Sequence, residues 1–279
     1  MRVIAEFVMR GRSYAIGASV LSASLPLLNW LSTAIVSLVV LRQGAAEGAM
    51  VLLWTLLPLG VALYLFGDPT AMISLFGTVG LALILRATTS WELTLAAAVV
   101  LSAVGSLVFE FTASEVLLVI VDMYMEYSKQ VSMELSYEAA RKSVFGFFAM
   151  GQAYAMLALL ILARWWQSVL YNPGGFQKEF HQLRLTGRLS TGLVVLLMVC
   201  VGLSDLLGRW IPLLTVPLIV AGLGFVHWFT KEKKMSSNWL VAFYFLLLLF
   251  FQFIYPLIAS LALMDSYLDM RKRIQKTEV

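Results

Sequence analysis

Side chains able to do acid–base, nucleophilic or metal chemistry are scarce in this 279-residue chain, which has two histidines, His181 and His227, and one cysteine, Cys200. Glu179 and His181 have the types of an acid and a base, but two residues apart on a helix their side chains point in different directions. The histidines are far apart with no HExxH spacing, and Cys200 stands alone inside an apolar run, so no zinc site and no disulfide within the chain is implied. A Walker glycine-lysine-serine or glycine-lysine-threonine run is also missing. Carboxylates deep within apolar segments would mark an ion path, yet Glu110, Asp205 and Asp265 all sit near segment ends. The expectation is therefore a non-enzymatic protein, without cofactor or metal, whose business is binding.

The elements that must position these groups are set by composition. Hydrophobic residues make up 61% of the chain, charged residues only 13%, and the mean hydropathy is +0.87, whereas a globular domain is roughly 45–50% apolar. Runs such as Leu193–Leu203 and Val241–Phe251 are continuously apolar and do not alternate as barrel strands would. The fold class expected is all-α, a polytopic helical membrane protein. A bilayer core about 30 Å thick takes roughly 20 residues per helix, which allows about eight or nine membrane segments. The formal net charge of +4 comes from basic residues beside these segments, not along one soluble face, so nucleic acid is not an expected partner. The lipid bilayer is.

Arg2, Arg10 and Arg12 precede the first apolar run and, by the positive-inside rule, place the N-terminus on the cytoplasmic side. Residues 14–41 are too long for one untilted span, and Pro26 lies near their middle. Either a single kinked helix crosses here, or segments at about 13–25 and 28–41 form a hairpin; the hairpin keeps the later basic loop inside. Within the first segment Gly11, Ala15, Ser19 and Ala23 recur every fourth residue and share one helical face. Such a stripe serves close helix packing within the chain or docking of a partner subunit. Asp68 and Pro69 open the helix toward Leu85, and Thr89 with Glu92 has capping-box spacing ahead of Trp91. Thr112 and Glu115 repeat that spacing before an amphipathic helix at 112–135, external in this scheme, whose apolar face carries Val116, Ile120, Met123, Tyr127 and Val131. Such a helix packs on the bundle surface, lies on the membrane or lids a cavity; in the last reading Met123, Tyr124 and Tyr127 are the candidate ligand lid, because Met adapts and Tyr carries a polar tip.

The longest polar break runs from Arg164 to Arg188. Its lysine and arginines, Arg164, Lys178, Arg184 and Arg188, assign it to the cytoplasm. Trp165 and Trp166 suit the interface, Pro173, Gly174 and Gly175 signal a turn, and Phe176, Phe180 and Leu183 give a short interfacial helix its apolar face. The chain thus divides into 1–163, a core of six membrane segments plus the amphipathic helix; 164–188, the basic loop; and 189–279, three further membrane helices with a basic tail. In this scheme one crossing by the last segment leaves Arg271, Lys272, Arg273 and Lys276 outside, against the charge rule, so either the last segment is re-entrant or an earlier assignment fails, and the side of the C-terminus stays open.

The run ARWWQSVLYNPGGFQKEFHQLRL and the closing LMDSYLDMRKR resemble the DUF2232 (YybS-like) family of bacterial membrane proteins over most of the chain. That family is similar to the S components of energy-coupling-factor transporters, which implies an S-component-like six-helix core, a small-xxx-small stripe that docks a membrane coupling subunit, and an externally closed pocket. Gly11, Ala15, Ser19 and Ala23 match the stripe in kind; the helices after Arg188 depart from the pattern. The resemblance implies a multi-pass protein of the bacterial cytoplasmic (inner) membrane that binds or helps transport a small molecule of unknown identity. The alternative is a non-enzymatic scaffold for an envelope protein complex.

Overall fold

The computed structural model describes residues 2–276, and among them every regular element is helical. By length and composition six helices can cross a membrane: α4 (Ala45–Phe66), α5 (Thr70–Thr88), α6 (Trp91–Thr112), α8 (Tyr137–Tyr171), the continuous run of α11 (Ser204–Leu207) into α12 (Ile211–Glu232), and α14 (Phe251–Leu268). The number rises to seven if α9 (Gly175–Gln182) and α10 (Gly187–Gly202), which meet at 60°, count as one broken span. The chain is built as a multi-pass membrane protein.

Residues 14–41 are a hairpin. Two helices, α2 (Arg12–Ala23) and α3 (Asn29–Gln43), pack along each other after a break at residues 24–28 that contains Pro26. Arg12, at the start of α2, pairs with Glu47 in the first turn of α4, its Nε 2.8 Å from Oε2, so α3 must return to the level at which α2 began. The last carbonyls of α3 have no partner inside the helix. Arg86 donates to Leu41 O at 2.6 Å and Gln167 to the same atom at 3.0 Å. Arg42 lies over the Tyr171 ring, 3.9 Å from its centroid. These contacts bring the ends of α3, α5 and α8 to one level, hereafter the basic end.

Burial is greatest in α3, where every residue from Ser32 to Leu41 is buried and neighbours come from α2, α4, α5 and α8. A helix apolar on all sides belongs in the centre of a bundle. Ala15, Ser19 and Ala23 of α2 are also buried, and Ser19 Oγ lies 2.5 Å from Thr55 Oγ1 of α4. The stripe is thus used for packing inside the chain, where small side chains let two backbones approach without any hydrophobic force to drive them.

The proposed division at 163/164 falls inside a helix. α8 is 35 residues long and continues past Arg164, Trp165 and Trp166 to Tyr171, because nothing breaks it before Asn172-Pro173-Gly174. Trp166 is fully buried and not interfacial; Trp165 alone is 38% exposed. At the turn Gly174 adopts φ +81°, and Ser168 Oγ accepts from Phe176 N–H at 2.9 Å. The helix predicted at 112–135 is α7 (Ser114–Gln130), but its buried face is Leu117, Val121 and Ser128, one step round from the expected stripe. No side chain caps it, since Thr112 Oγ1 bonds back to Val108 O. At α6 the cap is Ser90, not Thr89.

In the second half α12 packs on α6, α8, α9 and α14. Two glycines allow this: a Cβ on Gly222 would meet Ile258 O at 2.5 Å, and one on Gly224 would meet Phe180 O at 2.9 Å. α13 (Asn238–Leu249) leaves the basic end, and the chain turns at Phe250 into α14. Tyr255 Oη then lies 2.5 Å from Thr215 Oγ1, near the far end of α12, while Ser266 meets Ser190 at 2.9 Å in the first turn of α10. α14 therefore descends to the basic end and delivers α15 (Met270–Lys276) to it. Arg271, whose side of the membrane the charge pattern left open, lies on the same end as the 164–188 segment, and the last apolar segment is two helices and not one crossing.

Arg271 secures this closure. Its Nε donates to Asp265 Oδ2 at 3.0 Å, Nη2 donates to Leu183 O at 2.7 Å and Nη1 donates to His181 O, with the guanidinium also over Phe225 and Trp228. Removing one partner of a buried ion pair leaves an uncompensated charge and costs about 3–5 kcal/mol. Arg271→Met is expected to lower the unfolding free energy in detergent by about that much, and the double variant Arg271→Met/Asp265→Leu to recover most of it. A single variant as stable as the parent would show that the pair does not hold the tail.

Candidate functional site

At the end away from the basic residues, polar groups are engaged with one another. Glu110 accepts from Arg141 and Arg209, each at 3.0 Å, and Arg209 lies over Phe145 and Trp210. Asp205 is exposed with Lys142 4.0 Å away. A cavity of about 510 Å³ opens here between the 24–29 turn, α4 and α5. Its polar groups include Ser24, Asn29 and Asp68, but Asp68 Oδ1 accepts from Thr70 N–H at 2.9 Å. The lid candidates do not reach it: Met123 is 66% exposed, Tyr127 58%, and Tyr124 packs partly buried on the core. Met123 and Tyr127 were expected on the apolar, packing face of α7; the one-step rotation turns them outward.

The better-formed site lies near the basic end. A half-open cavity of about 660 Å³ runs between α8, α9, α12 and α13. Its walls are apolar: Leu157, Ala158, Ile161, Trp165 and Val169 from α8, Val220 and Leu223 from α12. α8 presents these because residues three and four apart share one helical face. The inner end is closed by Tyr154, whose Oη lies 3.1 Å from Tyr255 Oη. Phe176 and Phe180 of α9 close the other end, Phe180 edge-on to His227 with centroids 5.3 Å apart. α9 thus turns its aromatic face into the bundle, where the expectation was a helix lying on the membrane interface.

Glu179 holds α9 in that pose. It accepts from Arg164 Nε at 3.0 Å and Nη2 at 2.5 Å, and from Trp91 Nε1 at 3.2 Å, so α9 is tied to α8 and α6. Arg164, expected in the loop, is the helical anchor of that loop. His181 points elsewhere and is no partner of Glu179. His227 Nε2 meets Tyr244 Oη of α13 at 2.8 Å across the cavity mouth. α13 itself has no buried residue and packs mainly on α14 and α12.

His181 belongs to two walls. It lines the apolar cavity and also an adjoining polar depression of about 900 Å³, bordered by Lys178, Arg184, Lys231, Lys234, Arg271 and Lys272 with the carboxylates Glu232 and Asp269. α9 by itself is not one of the six helices able to cross a membrane, and it meets α10 at 60°. Burial pushes the His181 imidazole below its ordinary value, and Lys231, His227 and Arg271 oppose its protonation further. Arg184 donates to Ser266 O at 3.1 Å and pairs with Asp269 at 2.9 Å. No group of three or more metal-ligating side chains assembles among the described residues. Sequence alone missed this site because its walls come from four helices, and the apolar wall residues look like any membrane helix.

Compared with known proteins, the chain matches no family model, no curated protein and no solved structure. The functional reading rests on the geometry above.

Asp269 offers a pH test of the basic end. Lys272 first, and Arg184 with it, hold its carboxyl below the ordinary value of 3.8. A depressed carboxylate stabilises the fold above its unfolded-state value, and the contribution disappears as pH falls through the folded-state value. Asp269 has φ +47°, a conformation that Asn tolerates. Asp269→Asn is therefore expected to melt below the parent at pH 7, and the gap to close as pH falls below 3.8. A gap independent of pH would assign the effect to something other than charge.

Proposed function

We propose that this chain is a multi-pass protein of the bacterial cytoplasmic membrane that binds a small, largely apolar molecule in the cavity between α8, α9, α12 and α13. The carrying observation is the cavity itself: about 660 Å³, apolar walls, and a few polar groups, Tyr154, His181, His227 and Tyr244, at defined positions. That is the usual character of a small-molecule site. The mouth beside α13 faces the bilayer in this reading, so entry is sideways from lipid, with α13 as the movable wall.

Orientation follows from charge. Of the twenty lysines and arginines, Lys129, Arg141, Lys142 and Arg209 lie at the end away from α9, and the rest belong to the segments of the basic end. The positive-inside rule then makes the basic end cytoplasmic. With α2, α3, α10 and α13 counted as membrane segments beside the six long helices, the count is ten, one above the expected eight or nine. α2 to α6 with α8 would be the S-component-like portion. Docking of a coupling subunit along Ala15, Ser19 and Ala23 is not part of the proposal, since those residues are buried against the chain's own helices.

The test fills the cavity. Ala158 is exposed on the α8 wall, so Ala158→Trp adds bulk there without entering a packed interface. Purified full-length protein in detergent is expected to retain dioleoylglycerol in native mass spectrometry, and Ala158→Trp to weaken that retention by about tenfold, equivalent to about 1.4 kcal/mol. Equal retention by both, or by neither, would overturn the cavity as the binding site.

A further inference from the structure

The basic depression is not needed by a purely apolar ligand. The positive-inside rule asks only for lysines and arginines near the membrane surface; it does not ask for them to line a concavity that shares a wall with an apolar cavity. Six cationic side chains meet two carboxylates there. Both carboxylates are engaged, Asp269 with Arg184 and Lys272, and Glu232 with Gln275 at 3.1 Å. Arg271 is committed to Asp265 and two carbonyls. Lys178 on α9, Lys231 at the end of α12 and Lys234 just beyond it have no ion-pair partner among the described residues. At the junction, His181 is a largely buried residue whose ring has no hydrogen-bond partner among the described residues; only its carbonyl is used. It lines both compartments, so an unused donor and acceptor stand where the two meet.

We infer that the site takes a phosphate-headed lipid: the chain lies in the apolar cavity, and the phosphate sits in the depression against Lys178 and Lys231, beside the His181 imidazole. This inference rests on the cavity reading above and adds the head-group class. Charge complementarity and level both fit, because a basic pocket at the membrane surface is where an anionic head group belongs when its chain enters from the same leaflet. Lysines suit the role as compact cations able to meet a phosphate from several directions. His181 could donate to a phosphate oxygen through either ring nitrogen.

The experiment compares dioleoyl phosphatidic acid with dioleoylglycerol, which has the same chains and no phosphate, on the full-length protein in detergent. The acid is expected to bind at least tenfold more tightly. In Lys178→Gln/Lys231→Gln, where both positions are exposed and a parent-like melting temperature checks the fold, the preference should fall to near unity with dioleoylglycerol binding unchanged. Inorganic phosphate at millimolar concentration should not displace the bound acid. Equal binding of the two lipids by the parent, or a preference that survives the double substitution, would overturn the head-group assignment while leaving the cavity reading standing. Failure of both lipids to bind would sink the cavity reading itself. Displacement by inorganic phosphate would overturn the lipid as the source of the phosphate.

Discussion

A buried guanidinium holds the basic end together. Arg271 of α15 sits between a carboxylate of α14 and two carbonyls at the end of α9, with aromatic rings of α12 beneath it. A charge this sheltered must have its partners, since desolvation alone lowers the affinity of the guanidinium for its proton. Satisfying it requires α9, α12 and α14 to reach one point. The position of α9 then follows, and with it the aromatic wall of the cavity and the lysine of α9 that faces the depression. Asp265 keeps one oxygen, Oδ1, without a partner among the described residues, so the pair is held by the arginine fork more than by a complete network around the carboxylate.

Elsewhere the bundle relies on small polar groups. Ser102 Oγ donates to Ala149 O at 2.6 Å, and Gln152 Nε2 reaches Ser74 Oγ at 3.1 Å. Such interhelical bonds are worth about 0.6 kcal/mol each on average in a bilayer. Their value is in register: each fixes the height of one helix against another where apolar side chains alone would slide. Gly222 and Gly224 serve the same end sterically, by placing α12 against two backbones at once.

Charge and breakers carried much of this architecture into the primary structure. Pro26 with the flanking arginines made the α2–α3 hairpin readable, and Asn172-Pro173-Gly174 announced the turn before α9. What escaped was whatever depends on three dimensions. The turn at Phe250 lacks a Gly or Pro, whereas Pro256, the visible breaker, is accommodated inside α14; hence the tail's level could not be read. Arg164 looked like a loop charge because its partner, Glu179, is fifteen residues away across a turn. Trp165 and Trp166 are neighbours, but a helix turns one toward the cavity and the other into the core. For α7, two adjacent apolar stripes competed, and contact with α8 and α6 selected the one without Met123 and Tyr127. The cavity was the least readable feature, being a gap between elements each of ordinary composition.

α13 is attached by little more than its ends and one tyrosine–histidine bond. Native proteins open region by region, and the least packed regions open at the smallest free-energy cost. For any occupant of the cavity, departure would be timed by the local opening of α13 and not by unfolding of the bundle. Residence time and fold stability are then separate quantities: residues along Asn238–Leu249 can change how long a guest stays while the rest of the molecule keeps the same resistance to denaturation.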